Sequence, residues 1–232
     1  MLLAAAVVVS GCGGVGVGRT ASGATASRRM DATGVTHLDV AYGFDVRVRL
    51  GQPEAVTITY DDNLADLLDV RVDGRTLRIQ LRPNASIANR PTLRAEVTVS
   101  KLERIQAAGA STVTVSSTIP DSGLQLLISG SSRVAADLAL DQAEATVSGS
   151  SRLQLTGRAR TLSAAGSGAS NLELASLRVQ DLTIALSGAS HGSVQVDRTI
   201  AAQVSGASKL TYAGTARFTK RDTSGASTIQ PT

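Results

Sequence analysis

Tryptophan is absent from this 232-residue chain, and three tyrosines and two phenylalanines make up its whole aromatic complement. Aromatic rings dominate the energetics of most cores, so this interior must be filled by small and branched aliphatic residues in thin layers. The same shortage removes the stacking platforms on which single-stranded nucleic acids lie. A net charge of +4 without a Lys/Arg block adds no electrostatic footprint, and no nucleic-acid partner is expected. One cysteine excludes an internal disulfide scaffold. The two histidines, His37 and His191, stand at no metal-ligand spacing, and neither a metal nor a cofactor is expected. No apolar run reaches the about 20 residues that cross a bilayer as a helix.

What the chain has in quantity is glycine, 22 residues, within a composition that is 42% hydrophobic and can bury a core. Its one cysteine also stands at an informative place. It follows MLLAAAVVVSG, and VSGC (Val9 to Cys12) resembles the lipobox of bacterial lipoproteins, whose cysteine is acylated and becomes the mature N-terminus. No basic residue precedes the run, which is short for a signal peptide; a start codon placed too far downstream would explain both. On this reading residues 1–11 are the lipoprotein signal peptide, and Cys12 carries a lipid anchor that is the protein's contact with the membrane. Residues 12–31, rich in Gly, Ser, Ala and Thr, form a flexible tether with a root-mean-square reach of about 25 Å. Residues 32–232 are then the folded domain, anchored outside the cytoplasm and facing the periplasm or the cell surface.

Residues 35–106 read as β-structure without a visible repeat. HLDVAYGFDVRVRL places Leu38, Val40, Phe44, Val46, Val48 and Leu50 at alternating positions, the period of half-buried strands. AVTITY (55–60) and LRAEVTV (93–99) continue the pattern. DVRVDGRTLRIQL (69–81) predicts a hairpin turning at Asp73-Gly74. DDNLADLLDV (61–70) has room for one helical turn, and RPNASIANRP reads as an exposed loop.

From residue 107 a phrase recurs: AAGAS, then ISGSSRV (128–134), VSGSSRL (147–153), GSGASNL (166–172), LSGASHG (186–192), VSGASKL (204–210) and TSGASTI (223–229). Its glycines are Gly109, Gly130, Gly149, Gly168, Gly188, Gly206 and Gly225, at spacings of 21, 19, 19, 20, 18 and 19 residues. A period that short, filled with alternating runs such as NLELASL and LTIAL, predicts a β-solenoid whose coils stack about 4.8 Å apart. Each glycine is assigned to a structural turn that needs positive φ and close backbone approach. The small residue after it, Ala110 through Ala226, is expected to face an inward corner. The serines that close the phrase, Ser111, Ser132, Ser151, Ser170, Ser190, Ser208 and Ser227, are expected to form a hydrogen-bonded ladder. The last stretch, RFTKRDTSGASTIQPT, is expected to cover the C-terminal end.

Tandem SGAS units behind a β segment of the type FDVRVRLGQPEAVTITYDDNL…LRIQL…V-x-V-x-x-L-x-x-I resemble the bacterial auto-transporter adhesin-like family named for its head GIN domain, over about residues 35–229. That resemblance implies an all-β fold: a single-stranded right-handed parallel β-helix, a solenoid of about 19-residue coils, with an N-terminal β segment packed on or capping it. It implies an exported protein and brings no catalytic residues.

The residues themselves hold little chemistry. Ser190 and His191 are neighbours in one coil only, and a nucleophile also needs an orienting group for its base. Asp61, Asp62, Asp66 and Asp69 share one loop, either as a divalent-cation site or as ordinary turn acceptors. Asp137, Asp141, Asp181 and Asp197 fall in loops once per coil or less. One further pattern follows the repeat: Thr112, Arg133, Arg152, Asn171, His191, Lys209 and Thr228 occupy the same position in successive units. Stacked in register, Arg133, Arg152, His191 and Lys209 form a candidate binding stripe for an anionic envelope polymer or another surface protein. Outward charges of this kind also keep a β surface from aggregating. The reading is a non-enzymatic envelope lipoprotein, an adhesion or interaction module or scaffold. The alternative is a carbohydrate-active β-helix enzyme using loop carboxylates.

Overall fold

Strands of alternating pattern punctuated by a tight turn every 19 or so residues wind the chain into a β-solenoid of about seven turns. The computed structural model describes residues 18–120 and 123–232; Cys12 and the signal-peptide assignment lie outside the described residues. Seven strands form the N-terminal part: β1 (Thr25–Asp31), β2 (His37–Val40), β3 (Asp45–Leu50), β4 (Ala55–Asp61), β5 (Leu68–Asp73), β6 (Thr76–Leu81) and β7 (Leu93–Val99). A 3-10 helix of two turns (Asp62–Leu67), one more than the sequence suggests, joins β4 to β5. The coils proper follow with β8 (Arg104–Ala107), β9 (Thr112–Val115), β10 (Ile119–Pro120), β11 (Leu124–Ile128), β12 (Arg133–Val147) and β13 (Arg152–Gly166). β14 (Asn171–Leu186), β15 (His191–Val204), β16 (Lys209–Ala213), β17 (Arg217–Thr223) and β18 (Thr228–Pro231) complete them.

β12, β13, β14 and β15 pair in parallel along nearly their whole length, each one coil above the last. Their alternation of buried and exposed residues slips phase twice. In β14 the breaks fall at Ala175–Ser176 and at Gln180–Asp181. Together with the glycine corner, these slips give the coil three sides. Inward columns such as Val113, Val134, Leu153 and Leu172 stack aliphatic on aliphatic through the interior. A narrow lumen of this kind has no room for indole rings.

The corners explain the phrase. All seven repeat glycines have φ between +61° and +76°. At Gly188 a Cβ would stand 2.5 Å from the carbonyl oxygen of Gly168 beneath it, and that carbonyl accepts the N–H of Ala189 at 2.7 Å. The corner backbones are thus pressed together by their own hydrogen bonds. The small residue after the glycine faces outward, contrary to expectation: Ala169, Ala189 and Ala207 are exposed, while Ser170, Ser190 and Ser208 are buried. The left-handed glycine turns the chain so that the fourth position, not the third, points inside. The buried hydroxyls bond locally: Ser190 Oγ donates to Ser187 O at 2.8 Å and lies 3.0 Å from Ser170 Oγ. The exception is Ser151, whose Oγ has no partner.

The solenoid begins far earlier than its repeats. β8 pairs in parallel with β2, and β9 with β3, so Ala41–Phe44 between β2 and β3 is a corner stacked directly under Ala108–Ser111. Tyr42, at φ 63°, takes the place of the glycine, and Phe44, fully buried, takes that of the inward serine. Below this rung lies another, made of β6 under β2 and β7 under β3. There the stacking ends, because β5 pairs antiparallel with β6, and β4 antiparallel with β7. The β5–β6 hairpin turns where Asp73-Gly74 predicts. This antiparallel layer is the N-terminal cap.

Residues 18–31 belong to that cap and not to a flexible tether. β1 pairs antiparallel with β4 over seven positions, with Ala26 and Met30 half-buried. Arg19 exchanges backbone hydrogen bonds with Ser86 and Ala88, and Asn89 does so through its side chain with Ala21. Small polar residues read as a linker in isolation, but a cap edge supplies the partners that order them.

The opposite end is closed by side chains. Phe218 packs in an edge-to-face contact on Tyr212, with ring centroids 5.1 Å apart. Arg221 stands in an inward position above Ala202, its guanidinium 5.1 Å from the Phe218 ring centroid, and donates to Ile229 O at 2.8 Å. β17 and β18 pair on one side only. A bulge between Ile200 and Ala201, the charges of Lys220 and Asp222, and Pro231 make that edge a poor template for further strands.

Candidate functional site

Ser190 and His191 do not meet. Ser190 is buried, with its hydroxyl committed inside the corner, while the next residue along an alternating strand projects outward, and His191 is exposed. The four aspartates of the early loop are likewise committed. Asp61 is buried and accepts the N–H groups of Gly23 at 2.7 Å and Thr92 at 2.6 Å, clipping the cap together. Asp62 accepts from Ser22, Asp66 pairs with Arg19, and Asp69 pairs with Arg71 and accepts from Gln80. Among the described residues no group of three or more His, Cys, Asp or Glu could hold a metal ion.

The side of the coil that precedes each corner carries a shallow groove of about 440 Å³, lined by Gln125, Gln142, Glu144, Thr161, Ser163 and Asp181, with Glu103 at one end. It contains three carboxylates, which is what a glycosidase would need, but each is occupied. Glu103 is paired with Lys101 at 2.7 Å and with Arg75, and these cations hold its carboxyl below the usual range. Asp181 is bound by Arg198 and accepts from Thr199, which lowers its pKa to about 2. Glu144 accepts from Gln125 at 3.3 Å. Glycoside hydrolysis needs an acid whose pKa is raised; the surroundings of Glu103 and Asp181 do the opposite.

The side that follows each corner carries the basic column. Arg133, Arg152, Asn171, His191, Lys209 and Thr228 are strict register partners in successive coils, and Thr112 extends the line below. Glu173, two positions along β14, takes up part of this charge: Arg152 lies 3.3 Å from it and Asn171 donates to it at 2.9 Å. Arg133, His191 and Lys209 have neither an ion pair nor a side-chain hydrogen bond among the described residues. The third side holds a cluster that the repeat phrase does not reveal, with Arg158, Arg160 and Arg178 around one depression.

The glycine-cornered solenoid, the cryptic first corner and the antiparallel cap can now be set beside known proteins. The model of the family described as "Putative auto-transporter adhesin, head GIN domain" matches residues 35–216. The chain belongs to the head GIN domain family. The matched span begins before β2 and ends beside β17, so it takes in β4 and β5 of the cap and most of the coils, but not β1, β17 or β18. The crystal structure of a "putative adhesin" from Bacteroides fragilis is similar, with a TM-score of 0.87 and 19% identity over 93% of this chain and 100% of its own. Another "putative adhesin", from Parabacteroides distasonis, has a TM-score of 0.73 and 17% identity over 92% and 99% of the two chains. A "putative lipid binding protein" from the same species has a TM-score of 0.64 and 16% identity over 92% and 98%. At such identities these structures show that the head GIN fold is shared. No functionally curated protein matches the sequence.

Proposed function

We propose that this head GIN protein is a non-enzymatic interaction module of the cell envelope, displayed outside the cytoplasm on an acylated Cys12. Its working surface is the outward column Arg133, Arg152, His191 and Lys209. The observation that carries this reading is the column's strict register, which sets one basic or polar side chain per rung on a rigid β side. Polar side chains repeating every 4.8 Å or so, with fixed positive charge at Arg133, Arg152 and Lys209, complement an extended anionic partner better than a compact one. The adhesin-like descriptions of the family and of its structural neighbours agree with a binding role. No feature of the carboxylate groove favours the enzyme reading.

The extent of the cap bears on how such a module is displayed. Gly18 is only six residues beyond Cys12, so the intervening chain spans at most about 21 Å. The capped end therefore stays within about 21 Å of the lipid surface. The test is binding of the mature protein to a panel of anionic glycans and anionic vesicles. The triple reversal Arg133→Glu, Arg152→Glu and Lys209→Glu should weaken capture at least tenfold, and unchanged capture would remove the column from the mechanism. Cys12→Ser should abolish fatty-acid labelling and release the protein from membranes; if the wild-type protein takes up no fatty acid in its native host, the anchoring proposal falls.

A further inference from the structure

On the third side of the coil the pairing of β13 with β14 is interrupted by a bulge between Gln154 and Thr156. Gly157 follows at φ +94°, where a Cβ would fall 2.1 Å from the carbonyl oxygen of Leu138. Only glycine fits this bend of β13, while the extra residue of the bulge lies in β14 and re-aims the side chains that follow it there, Arg178 among them. The next residues, Arg158 and Arg160, are exposed on either side of buried Ala159. In the next coil Arg178 is the direct register partner of Arg158. The three arginines line a depression of about 410 Å³ with Asp141, Gln180 and Asp197.

The two aspartates position the flanking arginines without using them up. Arg160 meets Asp141 through Nε at 3.5 Å, and Arg178 donates to Asp197 through Nε at 2.6 Å. Neither pair occupies the terminal guanidinium nitrogens, which stay available as donors. Arg158, between them, has no ion pair and no hydrogen bond among the described residues. Nearby Asp181 is held by Arg198 and also feels the charge of Arg160. The lining therefore carries three positive and two negative side chains, a net charge of +1. Like charges on adjacent strands repel, and an anion seated between Arg158 and Arg178 would turn that repulsion into attraction.

We infer that this depression binds a tetrahedral oxyanion, a phosphate ester group, through the guanidinium forks of Arg158, Arg160 and Arg178. Arginine forks match the oxygen geometry of phosphate and donate pairs of hydrogen bonds to it. Three converging forks supply more donors than one planar carboxylate can accept. The site lies on a different side of the coil from the Arg133–Lys209 column, and either can fail without the other.

The full-length protein is titrated with sodium tripolyphosphate by calorimetry and by NMR. Wild type should bind, with shifts confined to residues 141, 158–160, 178 and 197. Arg158→Ala should weaken binding at least tenfold. Arg158→Lys, which keeps the charge but loses the fork, should recover less than half of that loss. Arg133→Ala with Lys209→Ala should change it less than twofold. All of these side chains are exposed, and unchanged melting temperatures confirm that the variants fold. Vesicles with and without phosphatidylglycerol form a second arm. Arg158-dependent capture by the anionic vesicles assigns the phosphate to a lipid headgroup, and tripolyphosphate binding without such capture assigns it to a soluble phosphate. Absence of tripolyphosphate binding at millimolar concentration, or equal losses in the Arg158 and Arg133/Lys209 variants, overturns the inference.

Discussion

Replacing Gly188 by alanine tests the physics of the corner directly, because Gly34 provides a matched control. The two glycines share nearly the same backbone angle, φ +76° and +75°. A Cβ at Gly34 would meet nothing within 4 Å, whereas at Gly188 it would stand 2.5 Å from Gly168 O and 3.1 Å from Gly168 N. Both substitutions incur the left-handed penalty of about 1–2 kcal/mol. Both recover about 0.4–1 kcal/mol from the stiffer unfolded chain. Gly34→Ala should therefore cost about 1 kcal/mol or less. Gly188→Ala must also push a backbone carbonyl away from a rung that is locked on both sides. Ala189 donates to Gly168 O at 2.7 Å below, and Ala207 to Gly188 O at 2.7 Å above. Stretching these two bonds and separating the rungs adds about 1–3 kcal/mol. The expected total is about 2–4 kcal/mol, which for a chain of this size lowers the melting temperature by roughly 5–12 °C. Urea unfolding of both variants, followed by circular dichroism, gives the comparison. If Gly188→Ala is no more destabilising than Gly34→Ala, close approach of stacked backbones is not what selects glycine at the corners.

The serine ladder makes a second prediction. Ser190→Ala should cost about 1–2 kcal/mol by removing a buried, bonded hydroxyl, while Ser151→Ala should be neutral or stabilising, since an unpartnered buried hydroxyl carries an unrelieved desolvation cost. Equal losses in urea titrations would show that burial alone, and not hydrogen bonding, places serine there. The third concerns acid. The Arg198 guanidinium and the Thr199 hydroxyl lower the Asp181 pKa to about 2 from an ordinary value of 3.8. A depressed pKa means stability that is present above the ordinary value and lost as pH falls through the folded one. Asp181→Asn should therefore flatten the decline of melting temperature between pH 4 and 2 relative to wild type; parallel curves would show that the pair contributes nothing.

Much of the architecture was legible because it rests on local rules applied periodically. The SGxS phrase with its 18–21-residue step, the alternation of NLELASL and LTIAL, and the scarcity of rings all point to thin stacked coils. The first corner is invisible in the sequence because Ala41-Tyr42-Gly43-Phe44 keeps the turn geometry while sharing almost no residues with the phrase. There Tyr42 adopts a left-handed angle that glycine holds elsewhere, and Phe44 fills the space of the buried serine. Only the parallel pairing of β8 and β9 onto β2 and β3, across an excursion of some fifty residues, exposes the equivalence. The orientation of the third and fourth phrase positions is hidden from the sequence for a related reason. Residue size suggests that alanine goes inside, but the sign of φ at the preceding glycine decides it.

The surface chemistry divides in the same way. The Arg133–Lys209 column could be read from the repeat because its members occupy one phrase position, and parallel stacking converts equal position into spatial adjacency. Arg158 and Arg178 hold no common place in the phrase. The one residue that the bulge inserts in β14 shifts the numbering between their coils, so the register that brings them together exists only in the folded chain. Residues 18–31 show the same limit: their composition says linker, and their pairing with β4 says cap. The period, the seven glycine corners and the class of fold are written in the residues alone, since each follows from local backbone preference repeated along the chain. Which side chains meet across coils, where the stacking starts and how its ends are closed were decided by tertiary pairing, because hydrogen-bond register between distant strands is not a property of any short segment.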